Sequence, residues 1–576
     1  MQRERRTIQP RSSLISTALL ACLSAMSTAS AQDTARSPIP VDVPVAQGPA
    51  AAAVPNAPVG SVYAAEYFAA TSPANAYDML QRVPGFTIVQ ADADVRGYAA
   101  AQGNVLIDGA RPSSKREDIA DLLKRVPAAA VERIELIRSG TPGIDMGGFA
   151  LLANIVRRRD AITESAIEGG ALSSTDGWLV PLGQVEYGRR WDGRALDLAL
   201  KYEPYLDDDS GHGSIRTFAP DGALLESADL DTRTVTRKGE ASASWRQPLA
   251  GGQFTLAAGA RGGREGTHTR VLARLPGSDD ERVAEDENSN EAEIGARFVR
   301  PFGAHSTLEL MGSQRMGWLD EVERSVEGDD DESFEEKTRT GESIVRADLT
   351  HARSERLSFA GSLEGAFNFL ESNTALVENG SPVALPGSDV RIEEQRVELA
   401  GGFSWSMSDA WMLESSLRIE HSSISQTGDT PLERVFTYPK PRVALRWDAN
   451  DHNQFRLTLS REVGQLDFAD FVASASLDGG QVSAGNAELE PDKTWRMVAA
   501  WERHFWTDAA FTISWTHDRI SDVMDRVLVT TASDVFDAPG NIGDGRRGTL
   551  AFELAAPPGR FGFSGAHLRS AILWRG

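Results

Sequence analysis

Apolar and polar residues alternate with a period of two from about Ser165 to the end of the chain. Leu196, Leu198, Leu200 and Tyr202 interleave with Asp197, Ala199 and Lys201, and Phe254, Leu256, Ala258 and Ala260 interleave with Thr255, Ala257 and Gly259. Further on, Leu413, Leu417 and Ile419 alternate with Glu414, Ser416 and Arg418, as do Val443, Leu445 and Trp447 with Arg442, Ala444 and Arg446, and Phe455, Leu457 and Leu459 with Arg456, Thr458 and Ser460. One apolar and one polar face over such a length predicts a large antiparallel transmembrane β-barrel with lipid-facing and lumen-facing positions. A soluble propeller would instead show a repeat of ~40 to 50 residues, and the chain has none. Brief turns at Asp192-Gly193, Asp409-Ala410 and Asp451-His452 are expected on one side of the barrel, with long polar loops, including 275 to 291 and 320 to 342, on the other. Trp178, Trp191, Trp318, Trp411, Trp447 and Trp501 fall near expected strand ends, as in an aromatic girdle.

The stretch from Ser61 to Arg159 has a different rhythm. Ser72-Pro73 supplies an N-cap and first-turn proline for a helix carrying Ala76, Met79, Leu80 and Val83, stopped by Pro84-Gly85. A second helix follows a capping box, Ser114 to Glu117, with Ile119, Leu122, Leu123 and Val126 on one face and Pro127 at its end. Val105 to Ile107 reads as a strand leading into the tight turn Asp108-Gly109, and Val131 to Ile137 as another strand. A compact α/β domain over residues 61–160 is expected, followed by the barrel over 161–576.

Residues 32–60 carry Pro38, Pro40, Pro44, Pro49, Pro55 and Pro58 and read as an extended tether. Within it Val41, Val43 and Val45 alternate as in a peptide that adds a strand to a partner's sheet, although Pro44 removes one donor. Residues 1–31 read as an export signal: Arg3, Arg5, Arg6 and Arg11 precede an apolar run from Leu14 to Met26, and Ala29-Ser30-Ala31 is a cleavage site. A lipoprotein signal ending at Cys22 is the rival reading.

Composition narrows the function. Cys22 is the sole cysteine, so a chain cut after Ala31 has neither disulfides nor cysteine-ligated metal. The formal net charge is −24, and removing a leader with four arginines and one glutamate leaves −27, which disfavours nucleic acid as a partner. Downstream of the leader no apolar run approaches the ~20 residues of a membrane-spanning helix. Signatures of catalysis, phosphate binding and cofactor binding are missing, so no enzyme and no cofactor is expected. Asp92-Ala93-Asp94 and Asp207-Asp208-Asp209 lack the glycine and distal glutamate of a calcium loop and read as solvated charge, and no metal site is assigned.

The phrases Asp78-x-Leu80 with Val83-Pro84-Gly85, Val95-Arg96-Gly97, Asn104 to Gly109 with Arg111, and Val131 to Glu135 through Gly140 resemble, in that order, the plug of TonB-dependent outer-membrane receptors. Gly485 to Asp492 is similar to that family's Asn-Pro-x-Leu-x-Pro-Glu phrase in the barrel. The resemblance implies a barrel of ~22 strands closed from inside by the plug. About eighteen to twenty strands can be counted after Ser165, and the chain stops at Leu573-Trp574-Arg575-Gly576 rather than on an aromatic residue, so the last strands are expected to be missing, or else the barrel is smaller or open. It also implies a cell outer-membrane location after Sec-type export, a scarce small-molecule ligand of siderophore, cobalamin or oligosaccharide class, and a TonB-type partner contacting Val41, Val43 and Val45. Plug arginines Arg96 and Arg138 are expected to latch onto Asp492, where the family has glutamate. Asp92, Tyr98, Gln102 and Arg111 are candidate ligand contacts. A non-transporting barrel used for surface binding, adhesion or structure is the alternative.

Overall fold

The computed structural model describes residues 62–576 except 84–85, 91–95, 99–102, 113–117, 139–148, 150, 159–161, 175–176, 207–209, 276–278, 430, 451, 478–480, 506–508, 531–534 and 557–567. The leader, the tether and the segment Val41–Val45 therefore lie outside the described residues, as do Asp92 and Gln102 and the proposed capping box at Ser114–Glu117.

Four short strands make the sheet of the plug: β1 (Val62–Ala64), β2 (Val105–Ile107), β3 (Val131–Arg138) and β4 (Leu151–Arg157), ordered β1-β3-β4-β2 with only β2 and β4 parallel. The helices Ala76–Gln81 and Ile119–Lys124 bury Met79, Leu80, Ile119 and Leu123 against Tyr63, Ile134 and Ile155 of this sheet. The first helix starts later than Ser72-Pro73 suggested. Asn75 caps it, accepting from the Asp78 amide at 2.9 Å, while Ser72 takes a left-handed conformation that closes the preceding 3-10 turn. The second helix is capped by Asp118, whose carboxylate accepts from the Ala120 amide at 2.6 Å.

The barrel begins with β5 (Ile162–Ser173), β6 (Leu179–Trp191), an interrupted stave made of β7 (Arg194–Tyr202), β8 (Tyr205–Leu206) and β9 (Gly211–Phe218), then β10 (Leu224–Leu249), β11 (Gly252–Ala273) and β12 (Glu281–Phe302). It continues through β13 (Ser306–Glu327), β14 (Asp330–Ser354), β15 (Leu357–Glu378), a second interrupted stave of β16 (Ser381–Val383) and β17 (Asp389–Ser406), β18 (Trp411–Gly428), β19 (Leu432–Asn450) and β20 (Asn453–Val463). A hairpin of β21 (Ser474–Ser476) and β22 (Gln481–Ser483) precedes β23 (Lys493–Phe505), β24 (Ala509–Thr530), β25 (Val535–Ala556) and β26 (Leu568–Arg575).

Among the described residues these segments form seventeen staves of a closed barrel, antiparallel at every step from β5 to β26. An odd number leaves β26 and β5 pointing the same way where the barrel closes. The count falls below the number read from the sequence because long runs such as Leu224–Leu249 form a single stave. Leu363, Val397, Leu399, Leu417, Leu457 and Ile572 are all exposed on the outer surface, the apolar band that a bilayer would cover.

The segments 275 to 291 and 320 to 342 are mostly strand rather than loop. β12 pairs with β13, and β13 with β14, right up to a turn at Gly328–Asp329. Where staves rise past the bilayer both faces meet polar surroundings, so the apolar half of the alternation disappears although the backbone pairing continues. The turn at Asp192–Gly193 is as expected, with both residues at positive φ. The plug chain ends beside the start of β5, so the short turns before β7, β11, β13, β15, β18 and β20 mark the rim by which the plug enters.

Candidate functional site

The plug loop at Arg96–Gly97–Tyr98 meets three carboxylates from three neighbouring staves. Glu394 of β17 accepts from Arg96 Nε at 3.0 Å, Glu342 of β14 accepts from the Gly97 amide at 2.8 Å, and Glu364 of β15 accepts from the Tyr98 amide at 3.2 Å. Gly97 has φ +87, and a side chain there would run into Arg396 and Glu364, so only glycine lets the loop come this close. Glu364 is itself held by Arg396 at 3.0 Å and Arg346 at 3.2 Å, and Glu394 also accepts from Asn368 at 2.9 Å and Ser422 at 2.8 Å. Arg96 and Glu394 retain 14% and 5% side-chain exposure, so this pair is largely removed from solvent.

The same arginine holds a second element. Between β20 and β23 the described residues 464–477 and 481–492 turn back into the lumen as an inner lid. Gln465 and Arg96 exchange reciprocal hydrogen bonds, Arg96 N to Gln465 Oε1 at 2.6 Å and Gln465 Nε2 to Arg96 O at 2.7 Å. Arg96 Nη1 donates to the Leu466 carbonyl, and its guanidinium lies 4.1 Å from the Phe468 ring centroid. Leu466, Phe471 and Leu489 pack on Leu370, Ile392 and Ile424 of one wall, while Ala473, Leu477 and Ala484 pack on Phe334 and on Phe536 and Ala538 of β25. Glu323 of β13 accepts from the Leu477 amide through both oxygens at 2.9 Å. The lid is thereby fastened to the plug below and to the wall on two sides.

A second clasp lies nearer the entry rim. Asp108, at φ +52 in the turn after β2, accepts from Arg157 Nε at 2.9 Å and from Arg246 Nη1 of β10 at 2.7 Å. Burial alone would raise its carboxyl, but the Arg157 and Arg246 guanidiniums and the Arg157 backbone bond outweigh it and bring the pKa down to about 2. Arg125 donates to Ser242 Oγ at 2.7 Å, Lys201 lies 3.3 Å from Asp121, and Arg297 donates to the Arg111 carbonyl. Between these contacts the plug and the staves β5 to β12 leave a cavity of about 700 Å³, with Ala257, Gly259 and Gly295 on its wall.

The expected site residues divide. Arg96 is the plug arginine at the clasp, but its carboxylate is Glu394 rather than Asp492. Asp492 instead closes the base of the lid, its carbonyl accepting from the Gly464 amide at 2.9 Å. Arg138 ends β3, and its side chain is outside the described residues. Tyr98 does not face an open lumen: it is buried against Met311, Ile344 and Ala366, and that burial pushes its phenol up to about 12. Arg111 lines the flank cavity and donates to the Gly103 carbonyl. Glu342, Glu364, Glu394, Gln465 and Arg246 were not singled out from the sequence. Alternation marks Glu342, Glu364, Glu394 and Arg246 as lumen-facing, but only the strand register brings the three glutamates around one plug loop, and Gln465 lies in the lid outside any strand.

Above the clasp, cross-strand register sets Glu265, Glu287, Glu321 and Glu336 directly opposite one another on β11 to β14. This gives the outer lumen an acidic wall, on which burial and the neighbouring glutamates push the Glu321 carboxyl up to about 8. Among the described residues no group of acidic, histidine or cysteine side chains is arranged to hold a metal ion.

A strand barrel with an apolar outer band, an α/β domain clasped inside it and a lid between the two defines a plugged membrane barrel. The family model of the TonB-dependent receptor plug domain matches residues 57–153, and that of the TonB-dependent receptor-like β-barrel matches 318–566. The chain belongs to the TonB-dependent receptors, a family of the outer membrane. Among solved structures it is similar to the copper transporter OprC, at 12% identity over 92% of this chain and 80% of that one, with a TM-score of 0.50. It is also similar to the siderophore receptor PirA from Pseudomonas aeruginosa (13% identity, 90% of this chain and 85% of that one, TM-score 0.47). The ferric citrate transporter FecA in its unliganded form is comparable (13% identity, 90% and 78%, TM-score 0.46). A search of curated proteins by sequence gives no match. At 12% identity the likeness to OprC speaks to the fold alone.

Proposed function

We propose that this protein is an active transporter: it binds a scarce solute of siderophore, cobalamin or oligosaccharide class from outside and releases it inward when a TonB-type partner displaces the plug. The observation that carries this reading is the clasp, in which Arg96 joins plug, barrel and lid through contacts that are strong when seated and breakable one by one. A barrel serving only adhesion or structure has no use for a lid fastened to its plug. The acidic wall of Glu265, Glu287, Glu321 and Glu336, crowded enough to raise the Glu321 carboxyl, disfavours a polyanionic solute. Export follows cleavage after Ala31, and the partner engages the tether at Val41, Val43 and Val45, with their alternation as the support.

The test is uptake across iron chelates, cobalamin and oligosaccharides in a deletion strain complemented with the full chain or with a chain lacking residues 32–60. Accumulation by the full chain alone is expected. Equal accumulation by both would overturn the tether as the partner contact, and accumulation by neither would favour the binding or structural alternative.

A further inference from the structure

The outside of the barrel carries a feature that solute transport does not require. Trp411, Trp447, Phe455 and Trp501 stand on β18, β19, β20 and β23, and register sets each directly opposite the next. Their rings stack in sequence, with centroids 5.3 Å, 5.2 Å and 6.4 Å apart and interplanar angles of 11°, 24° and 16°. Such a ladder is a rigid strip, since each ring fixes the next. One step toward the membrane centre, the same staves carry Leu445, Leu457 and Ala499, and Trp515 of β24 stands opposite Ala499. The small Ala499 side chain between Leu457 and Trp515 leaves a groove of about 410 Å³, apolar over nearly all its lining. Strands alternate sides, so Arg503 points outward like Trp501, one step nearer the rim. It is exposed, and among the described residues no ion pair engages it.

An apolar groove that ends on a cation at the membrane edge matches one occupant, an amphiphile with an anionic head and a hydrocarbon tail. The ladder flanks the turns at the rim where the plug enters, which in this family faces the periplasm, so the adjoining leaflet supplies the molecule. We infer that this sector binds a single glycerophospholipid of the periplasm-facing leaflet, with an acyl chain lying over Ala499 against the ladder and the headgroup phosphate on Arg503. On the opposite side the outward rings Trp191 and Trp245 form a single tilted pair, 5.5 Å apart at 60°, beside exposed aliphatic residues such as Leu256, Ile294 and Leu310, rather than a four-ring ladder.

Native mass spectrometry of the full chain, released from detergent after incubation with dimyristoyl phosphatidylglycerol, tests this. The wild-type protein is expected to retain one lipid. Ala499→Phe fills the groove and leaves all four ladder residues unchanged, and Arg503→Gln removes the headgroup contact. Each should lower occupancy by about fivefold, the scale of one lost exposed charge or one blocked apolar contact. Heat-modifiable mobility on a gel confirms that each variant is folded, and if Ala499→Phe fails to fold, the surface change Arg503→Gln decides the matter alone. Equal occupancy in wild type and folded variants would overturn the site, as would a dimer whose formation Ala499→Phe abolishes.

Discussion

Replacing Arg96 with alanine should loosen the plug from its apex downward. The substitution removes the 3.0 Å bond to Glu394, the bond to the Leu466 carbonyl and the ring contact with Phe468, and it leaves a carboxylate at 5% side-chain exposure without its cation. Breaking a buried pair on one side typically costs ~3 to 5 kcal/mol. The lower end applies here because Asn368 and Ser422 still donate to Glu394. A loss of ~3 kcal/mol corresponds to about 150-fold more frequent local opening. Hydrogen exchange of the Gly97 and Tyr98 amides reads this directly, since both donate to barrel carboxylates only while the loop is seated. The partner residue supplies the control: in a cycle of Arg96→Ala, Glu394→Gln and the double variant, the two single effects should fall short of additivity by ~1 to 3 kcal/mol. Exchange within about threefold of wild type in Arg96→Ala would refute the reasoning, and so would strictly additive effects in the cycle.

Three further outcomes follow from the same contacts. Asp108 has a folded pKa of about 2 against an ordinary value near 3.8, so its contribution of roughly 2 kcal/mol is complete above pH ~4 and disappears as pH falls through about 2. Asp108→Asn, which tolerates the left-handed turn, should flatten acid unfolding of the plug in that window, measured by circular dichroism. Gly97→Ala should destabilise plug seating by ~1 to 2 kcal/mol from its backbone alone, plus the displacement of Arg396 from Glu364, and should speed exchange at Tyr98 as Arg96→Ala does. Glu323→Ala removes both acceptors of the Leu477 amide, so the lid tip should be cut faster by protease, by ~1 to 3 kcal/mol of lost protection, while exchange at Gly97 stays as in wild type.

The barrel was legible wherever staves cross the bilayer, because one face must be apolar there and the period of two survives. It was illegible where the staves project beyond it, as at residues 320 to 342, since charge on both faces looks like loop. The plug showed its elements through helix faces and turn residues, yet its first helix is capped by Asn75 and not Ser72, a choice settled by the packing of Ala76 rather than by cap preference alone. Arg96 could be picked from its phrase. Its carboxylate could not, because Glu394 is 298 residues away and becomes its neighbour only through the stagger of the staves. Asp108 was read as a turn former, and its second role needed Arg246, a residue indistinguishable by sequence from other lumen arginines.

The reciprocal bonds between Gln465 and Arg96 place the plug and the lid mechanically in series. In the proposed transport cycle, tension on the plug from the periplasm would pass the clasp to the lid, and a solute pressing on the lid would shift the same two bonds from the other direction. Whichever side is loaded first would lower the force needed on the other, so such a receptor would yield most readily when occupied and pulled at once.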